Sequence, residues 1–115
     1  MKKKFFWMAL MALMLGLSSC KNETLNYPVM YIVNASDYSA KISCDNKLIT
    51  TVAAHKNIQE LMNTVSINLP VYIEVEFLDS KGNRVKRYTW ENYYFGWNST
   101  YKMTLQNSGC TLQKL

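Results

Sequence analysis

Past residue 28 the apolar residues recur at every second position in short runs, the period of half-buried strands. Val29-Met30-Tyr31-Ile32-Val33 is a compact run whose β-branched and aromatic content suits a strand. Asn34 to Ser39 reads as a turn. Ala40, Ile42 and Cys44 then alternate with Lys41 and Ser43. Asp45-Asn46 suits a two-residue hairpin loop, because both residue types tolerate positive φ. That loop leads into Lys47 to Val52, with Ile42 opposite Ile49 on one face and Ser43 opposite Leu48 on the other. Lys56 to Asn63 is the one helix-like stretch, with Ile58, Leu61 and Met62 on a single helical face; an extended connection is the alternative.

The clearest element is a second hairpin. Val71, Ile73, Val75 and Phe77 alternate with Tyr72, Glu74, Glu76 and Leu78, and Asp79-Ser80-Lys81-Gly82 carries turn chemistry. Residues 84–90 return. The simplest register pairs Phe77 with Val85, Ile73 with Thr89, Glu76 with Lys86 and Tyr72 with Trp90. It leaves Arg87 on the face of Val75 without a partner. Tyr101, Met103 and Leu105 alternate next, Asn107-Ser108-Gly109 turns, and Cys110 to Leu115 forms a last strand. Roughly six to eight short strands with regular turns and little helix predict an all-β domain. The first expectation is a small antiparallel β-sandwich of immunoglobulin-like or transthyretin-like type; a small closed β-barrel is the alternative.

The amino terminus follows a different pattern. Lys2, Lys3 and Lys4 precede the apolar run Phe5 to Leu17, broken only by Gly16. A helix over that run is about 20 Å long, short of a bilayer's hydrocarbon core of roughly 30 Å, which argues for an export signal over a transmembrane anchor. Leu17-Ser18-Ser19-Cys20 resembles the lipobox of bacterial lipoproteins: aliphatic, small, small, cysteine. The resemblance covers the first 20 residues. It implies cleavage before Cys20, lipid on its thiol, and acyl chains that hold the protein in a membrane. The family's inner-membrane retention cue is aspartate after the cysteine. Lys21 stands there instead, which implies the outer membrane, on its periplasmic face or at the cell surface. The chain then divides into a signal peptide (1–19), the lipidated Cys20 with a short tether (20–27) and a single domain (28–115).

Processing changes the charge. The whole chain carries 13 basic and 8 acidic residues. Removing Lys2, Lys3 and Lys4 leaves ten basic residues against eight acidic, a net of +2, and no basic stripe for nucleic acid. Of three cysteines, Cys20 is assigned to lipid, so Cys44 and Cys110 remain as a candidate disulfide, with two separate buried thiols as the alternative.

Candidate chemistry is sparse. His55, the single histidine, has no cysteine or carboxylate at ligand spacing, so neither a metal site nor a Ser-His-Asp or Cys-His arrangement is expected. Glu74 and Glu76 project from one strand face, but an ion pair with Lys86 accounts for them better than glycoside hydrolysis. No glycine-rich phosphate loop is present and no cofactor is implied. Asn22-Glu23-Thr24, Asn34-Ala35-Ser36 and Asn98-Ser99-Thr100 match the N-glycosylation acceptor, which has no role in a bacterial lipoprotein.

One cluster is unusual. Tyr88, Trp90, Tyr93, Tyr94, Phe95, Trp97 and Tyr101 crowd together with Glu91, Asn92 and Asn98. Such rings either fill a core or form a contact surface for protein or glycan. The sequence therefore points to a non-enzymatic binding or assembly module, lipid-anchored in the cell envelope. Trp90, Tyr93, Tyr94 and Trp97 are its candidate surface, and an envelope protein or glycan its partner. Alternatives are an inhibitor of a hostile enzyme, in outline similar to the small disulfide-bonded lysozyme inhibitors, and a structural subunit that pairs by strand addition.

Overall fold

The computed structural model describes residues 24–115; the signal-like segment 1–19 and Cys20 lie outside the described residues. Eight strands follow one another: β1 (Val29–Asn34), β2 (Ser39–Cys44), β3 (Lys47–Val52), β4 (Asn57–Leu61), β5 (Pro70–Leu78), β6 (Arg84–Tyr94), β7 (Thr100–Gln106) and β8 (Gly109–Lys114). They form two four-stranded sheets, ordered β4-β1-β7-β8 and β3-β2-β5-β6. The pairing is antiparallel except between β1 and β7, which run parallel. Strict alternation along the central strands supplies the core between the sheets: Met30 and Ile32 from β1, Met103 and Leu105 from β7, Ile42 from β2, and Ile73, Val75 and Phe77 from β5, all essentially solvent-free.

The β-sandwich expectation holds, and the barrel alternative does not, because each sheet ends in two free edges. The immunoglobulin-like type is also corrected. There the first and second strands are sheet neighbours; here β1 and β2 lie in different sheets, and the four-plus-four division leaves the transthyretin-like type of the two.

Three local expectations change. Asn57–Leu61 is a strand, not a helix. It pairs with β1, so Ile58 faces inward opposite Ile32 while Leu61 points out. A segment too short to sustain a helix gains more from completing a sheet. At Asp45-Asn46 both residues have positive φ, as a two-residue hairpin requires, and Ser43 does oppose Leu48. Ile42, however, opposes Thr50, because a bulge between Ile42 and Ser43 takes up Ile49.

The β5–β6 hairpin slips by one residue at a bulge that absorbs Val85, so Phe77 meets Lys86, Glu76 meets Arg87 and Ile73 meets Trp90. A one-residue slip exchanges the faces of a strand. Arg87, stranded on the apolar face in the simple register, moves to the outer face and reaches Glu74 at 3.4 Å, while Arg84 reaches Glu76 at 3.2 Å. Lys86, expected beside Glu76, instead donates to the Asn107 carbonyl of the β7–β8 turn at 2.7 Å.

Candidate functional site

The predicted aromatic surface divides in two. Trp90 and Tyr93, on the inward side of β6, pack against the core. Tyr93, Phe95 and Tyr101 form an edge-to-face trio, with Phe95–Tyr101 centroids 4.9 Å apart and Tyr93–Phe95 5.2 Å apart. Burial raises the Tyr93 phenol pKa, with the neighbouring Tyr101 adding to it. Tyr94 and Trp97 lie nearer solvent. Tyr94 is the exposed last residue of β6, and Trp97 is half-buried in the turn that carries the chain from β6 to β7.

That turn builds one end of the sandwich around the start of the domain. Asn98, at positive φ, donates its amide N–H to the Asn26 carbonyl at 2.8 Å, and its side-chain oxygen accepts from the Asn26 N–H at 2.8 Å. Tyr27 then lies against Trp97, centroids 5.0 Å apart. Val29 N–H donates to the Ser99 carbonyl, Met62 N–H to the Pro28 carbonyl and Leu115 N–H to the Thr100 carbonyl. The same end therefore gathers the start of β1, the end of β4, the start of β7 and the chain's last residue. The start of β5 joins them, since Pro70 opposes Tyr94.

Six of the nine exposed large apolar residues collect here: Leu25, Tyr27, Leu61, Leu69, Tyr94 and Leu115. Sequence reasoning found Tyr94 and Trp97 and missed the leucines. Their only sequence signal is that each stands just outside a strand or at its last position, out of step with the inward alternation. The end is convex, and no cavity is found among the described residues.

The opposite end is polar. Asn34, expected in a turn, is the last residue of β1 and is 1% exposed; Ser36 is 0% exposed. Asn34 Nδ2 donates to the carbonyls of Tyr38, Val52 and Ala53 at 2.9, 3.1 and 3.1 Å. Its Oδ1 accepts from Ser36 N at 3.0 Å and Ser36 Oγ at 2.6 Å. The Asn34-Ala35-Ser36 acceptor motif is thus a buried clamp between the two sheets. Outside it, Asp37 accepts from Asn107 Nδ2 at 2.8 Å and meets His55 Nε2 at 2.9 Å. These contacts, the Asn107 bond foremost, hold the Asp37 carboxyl below its ordinary pKa. His55 does have a carboxylate partner that sequence spacing hid. The adjacent Ser36 hydroxyl is no nucleophile for it, because it is committed to Asn34 and the Tyr38 carbonyl.

The candidate disulfide is corrected. Cys44 and Cys110 are both free. Cys44 closes β2 opposite Ile73, near the tether end, whereas Cys110 opposes Leu105, whose carbonyl binds Ala35 near the start of β2. The length of β2 separates them, about 13 Å at a strand's rise, and a disulfide needs Cα atoms within about 7 Å. Burial pushes each thiol up to about 11.

No protein-family model, curated protein or solved structure matches this chain.

Proposed function

We propose that the mature chain is a lipid-anchored, non-enzymatic module of the cell envelope that makes its contact through the apolar end built on Tyr27, Tyr94 and Trp97. The observation that carries this reading is coincidence of place. The exposed leucines and rings sit where the chain leaves the domain toward Cys20, and Asn26 is pinned there by Asn98. A convex apolar surface suits association more than turnover of a small substrate, which calls for a concave site. Trp90 and Tyr93 belong to the core in this reading and hold Tyr94 in position.

The experiment is fractionation of cells expressing the full chain and its Cys20→Ser variant, with mass spectrometry of the native product. The wild type is expected in the membrane fraction with diacylglycerol and acyl mass on Cys20, and the variant is expected to leave that fraction. An intact leader or an unmodified thiol at Cys20 overturns the reading.

A second reading, strand addition, is favoured by the edge strand β8. The Leu115 N–H bond to Thr100 turns the backbone groups of the odd residues of β8 toward β7, which leaves those of Cys110, Leu112 and Lys114 on the open edge. The other long edge, β6, is protected by two bulges and by Arg84, Lys86 and Arg87; β8 has no bulge and one charge, Lys114. Lys114→Pro removes an edge donor without touching the β7 ladder. It is expected to abolish any strand-paired dimer seen by sedimentation; a dimer unchanged by it excludes β8.

A further inference from the structure

We infer that the partner of this apolar end is the bilayer surface itself: the end seats in the interfacial zone of the membrane that holds the lipid. The inference rests on the lipid-anchor reading and names what that site touches. The first argument is reach. Six residues separate Cys20 from Asn26, so the tether spans at most about 20 Å even when fully extended. Asn26 is fixed to Asn98, and the end is therefore held close to the headgroups. The Asp37–His55–Asn107 end lies the length of β7 farther on, about 20 Å.

The second argument is chemistry. Leu25, Leu69 and Leu115 are 55%, 59% and 62% exposed, and Tyr94 is 57% exposed beside them. Leucine with tyrosine and tryptophan is the composition that settles at a membrane–water interface, where a ring keeps its apolar body in the acyl boundary and its polar atom among headgroups. Charges near this end are of both signs: Lys47 and Lys114 against Asp45, Glu60 and Glu91. Apolar burial therefore drives the contact, and anionic lipid is not required. A glycan platform fits less well, because Tyr27 already covers Trp97.

The test uses the lipidated protein purified from cells and reconstituted in phosphatidylcholine vesicles. The lipids are brominated at shallow acyl positions, which quench tryptophan emission. Trp7 leaves with the signal, so Trp90→Phe isolates Trp97, and Trp97→Phe isolates Trp90 as an internal control on β6. A ring about 5–10 Å into the headgroup–acyl boundary is expected to lose about half its emission; Trp97 should do so and Trp90 should not. Replacing phosphatidylcholine partly with anionic lipid should leave the quenching unchanged.

Hydroxyl-radical labelling of the wild-type protein on the same vesicles needs no variant. Leu69 and Leu115 should be labelled less than Val85, although Val85 is the less exposed of the three at 43%. Lipid present on Cys20 with Trp97 unquenched and Leu69 and Leu115 labelled freely overturns the inference and leaves the anchor standing. That result returns the end to a protein or glycan. Absence of lipid on Cys20 removes the anchor and the inference together.

Discussion

Replacing Asn34 with leucine tests whether the clamp at the polar end holds the two sheets together. Leucine keeps the side-chain volume and removes both amide functions. Five hydrogen bonds are lost, three donated by Nδ2 and two accepted by Oδ1. The losses are unequal. The Tyr38 and Ala53 carbonyls are partly buried, so water can replace the amide there, and Ser36 Oγ keeps the Tyr38 carbonyl as an acceptor. The Val52 carbonyl bond and the Ser36 N–H bond are fully buried. Each buried group left unsatisfied costs about 1–3 kcal/mol. Two such groups give about 4 kcal/mol, a large share of the roughly 5–15 kcal/mol by which a domain is stable. Guanidinium unfolding followed by tryptophan emission reads the difference, with the m-value checked for constancy. Ser36→Ala keeps the Asn34 donors and should cost about 1 kcal/mol. An Asn34→Leu loss below about 1 kcal/mol would refute the reasoning, because no domain tolerates two orphaned buried groups so cheaply.

Asp37 is expected to make part of the stability pH-dependent. Its folded pKa is lowered by Asn107 and then His55, so its contribution is full above the ordinary 3.8 and fades as pH falls through the lower folded value. The difference in melting temperature between wild type and Asp37→Asn should shrink in that acid range; a gap that stays constant refutes this. Cys44 and Cys110, with thiols pushed up to about 11, should react slowly with a thiol reagent in the folded protein and fully after denaturation without reductant. Failure to label either one under denaturing conditions restores the disulfide. Asn46, at φ 66°, should accept glycine, whereas Asn46→Val should cost about 1–2 kcal/mol by denaturation. Equal stability of the two variants contradicts the left-handed turn.

Most of the strands are legible because alternation is a local signal. Tyr101, Met103 and Leu105 announce their inward face from the sequence, as do Val71, Ile73, Val75 and Phe77, and all seven are buried. Asp45-Asn46 announces its hairpin for the same reason, since the demand for positive φ falls on two adjacent residues. Register is less legible. The bulges at Ile49 and Val85 add one residue to one strand only, and the cross-strand partners that decide this are far along the chain. The misplaced Arg87 was the available warning, because an arginine facing Val75 contradicts the pattern around it. Asn34 offered another: it continues the inward alternation of Met30 and Ile32, which a turn residue need not do.

By itself the sequence determined an all-β chain of alternating strands, their faces, one hairpin turn, and a cysteine after a signal-like leader. Those properties depend on neighbours within a few residues, where backbone preference and side-chain direction act. Only the tertiary structure decided which strands share a sheet, that Cys44 and Cys110 stand apart, and that Leu25, Leu61, Leu69 and Leu115 meet Tyr94 at one end. The reason is that burial is a long-range quantity. Whether Trp90 serves the core or Tyr94 the surface depends on what the opposite sheet brings to cover it, and that sheet is assembled from β1, β4, β7 and β8, strands spread over nearly the whole domain.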